Sequence, residues 1–382
     1  MSCLCHAPHR GPVLTLAWNT ALELASRVVV GPGANRRLPD VLKQLHSGSR
    51  VLLIAQPGAA EHLAEDLRQP LGHEGFDVTA HVVPDGESCK EVEHLLAIWD
   101  LLQEHQYDRQ DTLVAIGGGA VCDLAGFAAS TFKRGLNLCL VPTTLLAQVD
   151  AAIGGKNAVN LARGKNLAGT FYFPRAVLVD PLSLATLSSR QFTSGMAEVI
   201  KYALIEATVA ACTDYTPGPR PLLDVLEEAI GGGFGYEDPA LTGILISSIK
   251  MKLLVVGADP HESGLRRTLN LGHTLGHALE KVSGYQLTHG EAIAIGMVFA
   301  GKMSVRKGLI GSAEFERLRA VLLKAGLPVD VPAGLERRLI LDAMGQDKKK
   351  QGDAIKFVLP KARLGCVDYG VNISLAELEE LL

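Results

Sequence analysis

An α/β N-terminal domain of Rossmann-like layout, followed by a mostly α-helical C-terminal domain, is the fold this sequence predicts. Three observations predict it. From Arg27 to about Asp180 short apolar runs alternate with helix-periodic segments, the signature of a parallel sheet covered by helices. From Pro181 the texture changes to long helix-periodic segments with few strand candidates. Glycine reaches 40 of 382 residues while aromatics stay at 5%, a mix suited to α/β proteins with many tight turns.

Arg27–Gly31, Val51–Ala55, His81–Val83, Leu113–Ile116 and Ala176–Asp180 read as buried strands, because each is a short apolar run. Between them, Ala60–Arg68 and Val92–His105 place apolar residues three and four apart, the helix period. In the second half Phe192–Ala207, Leu241–Val256, Leu271–Val282, Glu291–Lys307 and Ala313–Ala325 read as helices. Residues 214–235, rich in Pro and Gly, read as a surface loop. The predicted organisation is an N-terminal tail over 1–26, an α/β domain over 27–180 and a helical domain over 181–382.

Composition excludes several classes. Thirty-seven Lys and Arg against 41 Asp and Glu leave a net charge of −4, so no global basic field draws the chain to nucleic acid. Hydrophobic residues at 47% and charged residues at 20% argue against long disorder. Seven cysteines without a repeating spacing read as reduced thiols, and Cys3-Leu4-Cys5-His6 lacks a second pair to complete a metal site. No apolar run approaches the ~20 residues that cross a bilayer, and Asn19 and Glu23 interrupt the stretch a signal peptide needs. A cytoplasmic protein with neither membrane nor nucleic-acid partner is expected.

Chemistry concentrates in three places. Ile116-Gly117-Gly118-Gly119 follows a strand and opens a helix, where glycines let the backbone approach a pyrophosphate and helix-start N–H groups receive its charge. A tight turn alone would look the same. Asn270-Leu271-Gly272-His273-Thr274-Leu275-Gly276-His277 precedes His289-Gly290-Glu291, so His273 and His277 share a helix face, and four of the twelve histidines fall between 261 and 289. Three of these histidines in such an array favour a metal, and Glu198, a carboxylate amid apolar helical neighbours, is the best anionic ligand. Finally, Lys156, Lys165, Lys201, Lys252, Arg266 and Lys348–Lys350 are cations in a chain of negative net charge, which points to an anionic substrate. Lys201 and Lys252 stand out because each sits in an apolar helix.

These residues carry a family resemblance. From about Asp85 to Lys349 the chain resembles the 3-dehydroquinate synthase family, among the sugar phosphate cyclases of the shikimate pathway. The markers are Pro84-Asp85-Gly86-Glu87 with Lys90, Gly117-Gly118-Gly119 with Asp123, Arg134-Gly135, Val141 through Asp150, Gly154-Gly155-Lys156 and Gly164-Lys165-Asn166. Ala197-Glu198-Val199-Ile200-Lys201, Asn270 through His277 and His289-Gly290-Glu291-Ala292 complete them in the family's order.

The resemblance implies a phosphate-eliminating, carbon–oxygen lyase of aromatic amino-acid biosynthesis that uses NAD+ and Zn2+ or Co2+. It would turn 3-deoxy-D-arabino-heptulosonate 7-phosphate into 3-dehydroquinate and phosphate by transient oxidation, elimination, reduction and aldol closure. Carried over position by position, Glu198, His273 and His289 would be metal ligands, which moves His277 to the substrate phosphate. Lys156, Asn166 and Lys349 would join it there, with Arg134 supplied by the second subunit of a homodimer. Lys252 and Arg266 would clamp the substrate carboxylate, while Asp150, Lys201 and Asn270 hold ring hydroxyls. Glu87, Lys90, Gly118, Gly119, Asp123, Thr143, Thr144, Lys165 and Thr186 would bind NAD. The alternatives are a cyclase of the 2-epi-5-epi-valiolone or 2-deoxy-scyllo-inosose synthase type, whose substrates lack the carboxylate, and an NAD-dependent polyol dehydrogenase. Three departures from the family pattern stand out: Cys122 replaces a usual Gly, Asn157 a common Thr, and Gln56 sits where a ribose-binding acid is often found.

Overall fold

The computed structural model describes residues 13–19, 25–162, 164–346 and 354–382. Cys3, Cys5, His6 and Lys349 lie outside the described residues. The chain divides into two compact units, Met1–Leu187 and Ser188–Leu382.

In the first unit the strands are β1 (Leu14–Asn19), β2 (Ala25–Val30), β3 (Arg50–Ala55), β4 (Asp77–Val82), β5 (Thr112–Gly117), β6 (Asn137–Pro142), β7 (Lys156–Leu161), β8 (Gly164–Phe171) and β9 (Ala176–Val179). Seven of them form one sheet in the order β1-β2-β9-β6-β5-β3-β4. All neighbours are parallel except β1 and β2. Val, Leu and Ile dominate β5, all of whose residues are buried, as a strand covered on both faces requires. One face packs Val29, Leu53, Val114, Ile116, Val141 and Leu178 against Leu38 and Leu42 of the Leu38–Gln44 helix and Leu67 and Leu71 of the Glu65–His73 helix. The chain runs outward from β3 to β4, then returns to β5 and proceeds the other way to β6. The carboxyl ends of β3 and β5 therefore flank a reversal of strand order, the place where open α/β sheets bind ligands.

Four expectations need correction in this unit. Residues 14–19, expected in the tail, form strand β1 paired with β2. His81 and Val82 of the predicted buried strand close β4, which lies at the sheet edge and leaves Val82 53% exposed, while Val83 just beyond it is buried. The expected strands omit β6, although Leu138–Val141 is an apolar run as long as Leu113–Ile116. The β7–β8 hairpin pairs outside the main sheet and so lacks the buried apolar pattern.

The second unit is helical, built on Ser189–Cys212, Leu222–Gly231, Pro239–Ala258, His273–Val282, His289–Arg306, Ser312–Lys324, Arg337–Gln346 and Leu375–Leu381. Two strands, β10 (Ala354–Lys361) and β11 (Arg363–Ser374), form an antiparallel hairpin against the Ser189–Cys212 helix. The sequence did not suggest them: Pro360 and register shifts at Phe357/Val358 and Pro360/Lys361 break the alternation. The surface loop expected over 214–235 instead contains Leu222–Gly231, a helix that buries Leu222, Leu223 and Leu226. The Pro239–Ala258 helix also corrects the expectation that no apolar run nears a membrane span. Its mean hydropathy reaches 1.7 over 18 residues, although 56% of that window is buried in the protein.

Candidate functional site

In the first unit the glycine turn sits at the carboxyl end of β5. Gly117 has φ 152°, and a Cβ there would meet Val121 at 2.7 Å and Gln56 at 2.8 Å, so the turn tolerates no side chain. Gly118 is the extended N-cap of the Gly119–Thr131 helix, whose first N–H groups and dipole suit a pyrophosphate. Thr143 donates its N–H to Gly117 O at 2.9 Å, and Thr144 Oγ1 accepts from Ala147 N at 3.2 Å. Buried Gln148 ties this loop down, donating to Pro142 O at 3.2 Å and Asp180 O at 2.9 Å.

A polar network lies beside the turn. Buried Lys90 donates to Asp123 at 2.6 Å and to Asn166 Oδ1, and pairs with Glu87 at 3.6 Å. Asn160, which sequence reasoning missed, donates to Glu87 Oε1 at 2.9 Å and accepts the Asn166 N–H at 3.0 Å. Four residues expected at the cofactor or phosphate (Glu87, Lys90, Asp123 and Asn166) are thus brought together. Lys156, Arg134 and Thr186 are exposed, Lys165 is partly so, and Arg134 adopts φ 67°.

The departures acquire physical roles. Gln56 Oε1 accepts the Gly118 N–H at 3.0 Å, turning its amide toward the glycine turn. Asn157 donates to the carbonyls of Gly155 and Tyr172 at 2.9 and 2.8 Å. Cys122 is fully buried, and desolvation pushes its thiol well above the ordinary range, which leaves it unreactive.

In the second unit the Ser189–Cys212 helix begins with a capping box between Ser188 and Gln191 and buries Glu198 completely. Lys201, one turn on, pairs with Glu198 Oε2. The other oxygen, Oε1, receives two imidazoles: His289 Nε2 lies 3.3 Å away and His273 Nε2 3.5 Å away. His273 Nδ1 lies 3.1 Å from Leu271 O, and a carbonyl only accepts, so this contact puts the proton on Nδ1 and turns Nε2 inward. Burial holds His273 well below the ordinary histidine range against the pull of Glu198. Burial also works against a charge on His289, but hydrogen bonds to Glu198 and Glu280 outweigh it and push the group up to about 10.

Backbone contacts fix this geometry. Gly272, the left-handed N-cap of the His273–Val282 helix, leaves no room for a Cβ, which would fall 2.6 Å from Ile293 O. A Cβ at Gly296 would fall 1.9 Å from Gly272 O, and one at Gly290 would fall 1.9 Å from Ser194 O. The helices bearing Glu198, His273 and His289 therefore approach main chain to main chain.

The cluster fits a cation. Donor atoms of Glu198, His273 and His289 lie within 4.8 Å of one another. Ligands in a tetrahedral shell with bonds of ~2.0–2.2 Å stand about 3.4 Å apart, close to the observed separations. His277 is exposed, and its donor atom groups instead with those of Glu280 and His289.

Buried Lys201, Lys252 and Arg266 supply positive charge in the same unit. Arg266 lies in the 3-10 segment Leu265–Asn270, and its Nη1 donates to Pro260 O at 2.7 Å. The preceding loop is organised by Asp259, which accepts from Ser263 N, Gly264 N and Arg266 N at 2.8, 2.7 and 3.0 Å. Asn270 donates to Glu262, a second residue missed from sequence. The proximity of His261-Glu262 to the histidine-rich stretch is the signal that could have found it.

The fold, a parallel sheet with a glycine turn followed by a helical unit, is that of solved sugar phosphate cyclases. A 2-deoxy-scyllo-inosose synthase complexed with carbaglucose-6-phosphate, NAD+ and Co2+ superimposes with a TM-score of 0.84 at 25% identity, over 96% of this chain and 99% of the other. The 2-epi-5-epi-valiolone synthase of Streptomyces hygroscopicus with NAD+ and Zn2+ bound gives 0.81 at 26% identity, over 93% and 94%. The 3-dehydroquinate synthase N-terminal family matches residues 80–194, and its C-terminal counterpart matches residues 195–350. The 3-dehydroquinate synthase of Nostoc punctiforme is 42% identical over 340 residues, covering 88% of this chain and 91% of that relative. The chain belongs to the 3-dehydroquinate synthase family and is a cyclase of that family.

Proposed function

We propose that this chain converts 3-deoxy-D-arabino-heptulosonate 7-phosphate into 3-dehydroquinate and phosphate as an NAD- and metal-dependent lyase. The observation that carries the reading is buried Glu198 facing the partly buried His273 and His289, accompanied by buried Lys201, Lys252 and Arg266. Glu198, His273 and His289 would hold Zn2+ or Co2+, and the glycine turn with Glu87, Lys90 and Asp123 would hold NAD+. When bound, the dinucleotide supplies reversible hydride transfer and the cation polarises substrate oxygens.

The protein's own groups do the rest. Arg266 presents a planar fork that grips a carboxylate through two parallel N–H bonds, and Lys252 adds a point charge. Lys201, held by Glu198, offers an ammonium to a ring hydroxyl, alongside Asp150 and Asn270. Lys156, Asn166 and His277, with Lys349, would anchor the phosphate and stabilise it as it leaves, and Arg134 would join them across a homodimer. A cytoplasmic setting belongs to this reading, and the unpaired state of Cys89, Cys122, Cys139, Cys212 and Cys366 supports it.

The keeping of both Lys252 and Arg266 favours a carboxylate-bearing substrate over the substrates of the other cyclases. A phosphate-release assay tests this with the heptulosonate phosphate, sedoheptulose 7-phosphate and glucose 6-phosphate, each with and without chelator. Chelator-sensitive release from the first alone is expected. Release from either of the others, with none from the first, would overturn the assignment.

A further inference from the structure

We propose that Glu280 is the positioning residue that orients His289 toward the metal. The inference rests on the metal reading above and extends it to a residue that reading leaves without a role.

Glu280 lies seven residues after His273 in the His273–Val282 helix, two turns along the same face. Its Oε2 stands 3.3 Å from His289 Nδ1, and both side chains are largely buried, at 17% and 30% exposure. A carboxylate only accepts, so Nδ1 must donate and the ring has one orientation left. That orientation points Nε2 at Glu198 Oε1, 3.3 Å away.

The two imidazoles are steered by different means. His273 has a backbone acceptor, the Leu271 carbonyl two residues before it. His289 also begins its helix, but its Nδ1 faces a side chain, Glu280 Oε2 at 3.3 Å. Glu280 supplies that acceptor from the neighbouring helix. A carboxylate in that role also raises the basicity of the opposite nitrogen, which strengthens a metal bond.

The test measures Zn2+ affinity by chelator competition on the full chain and on Glu280→Ala and Glu280→Gln. Removal of such an outer partner typically weakens metal binding 10- to 100-fold, and that loss is expected for alanine. Glutamine keeps an oxygen acceptor without the charge, so a smaller loss is expected. The Co2+-loaded variants should also show altered visible absorption bands, because a loosened imidazole changes the ligand field, while NAD+ affinity stays at the wild-type value. If alanine prevents folding, the glutamine variant still decides. Variant affinities within two- to threefold of wild type, with unchanged Co2+ bands, overturn the assignment of Glu280 and leave the metal reading intact. Wild-type protein that binds no Zn2+ overturns both. A second Zn2+ per chain that disappears in the variants, with the first affinity unchanged, overturns the orienting role in favour of a separate cation seat on His277, Glu280 and His289.

Discussion

Arg266 shows how much chemistry one buried side chain can carry. It is 2% exposed, and both its backbone N–H and its Nη1 are held by the loop before it. Loss of a buried, charge-assisted partner costs ~2–5 kcal/mol, roughly 30- to several-thousand-fold in kcat/KM. Arg266→Ala should therefore cripple turnover of the heptulosonate phosphate and leave metal content and NAD+ affinity close to wild type. Activity per folded molecule that survives the change would remove the carboxylate clamp from the mechanism. At this scale the sequence was most informative where a residue broke its surroundings: Glu198 and Lys201 are charges in an apolar helix, a costly placement without a task. It was least informative for Asn160, Glu262 and Glu280. These are partly buried polar residues, and no periodicity separates a partner in a network from an ordinary surface group. The histidines fall between these cases, since spacing alone cannot decide that His277 stays outside while His273 and His289 converge on Glu198.

Local elements were legible in proportion to their hydrophobic period. The long helices and the central parallel strands other than β6 announce themselves, whereas the β7–β8 and β10–β11 hairpins do not. Their partners are distant from the sheet core, and bulges interrupt the alternation that identifies a strand. The loop from Asp259 to Asn270 is equally opaque in sequence, yet it behaves as a defined element around one carboxylate. Although burial alone would raise Asp259, the N–H groups of Gly264, Ser263 and Arg266 lower it to about 2. A carboxyl lowered from 3.8 to about 2 on folding contributes ~2 kcal/mol of stability. Because the folded value is the lower one, that contribution is complete above the unfolded value and fades as pH falls through about 4 toward 2. Asp259→Asn should accordingly be less stable than wild type at pH 7, with the gap narrowing at pH 3. Urea midpoints across that range measure it, and a gap that does not change with pH would show that the charge on Asp259 contributes nothing.

Taken whole, the molecule has a parallel sheet with a glycine turn and a helical unit that gathers Glu198, His273 and His289, and the proposed reaction sets a stringent condition on how they are used. The carbon oxidised early in a turnover is reduced again before product leaves. NAD+ should be needed only in catalytic amounts, with no net rise in absorbance at 340 nm, and metal-stripped protein should regain activity on addition of Zn2+ or Co2+. Absorbance rising in step with product would make the chain a dehydrogenase instead. Gly290 against Ser194 and Gly296 against Gly272 leave space for hydrogen atoms alone, so the spacing of the three ligand-bearing helices is set by main chain and not by interlocking side chains. Elsewhere in that core, substitutions can accumulate without moving the ligands. A side chain at Gly290, Gly296 or Gly272 would push these helices apart and carry the ligands with them, so these glycines act as the spacers that set the size of the cation seat.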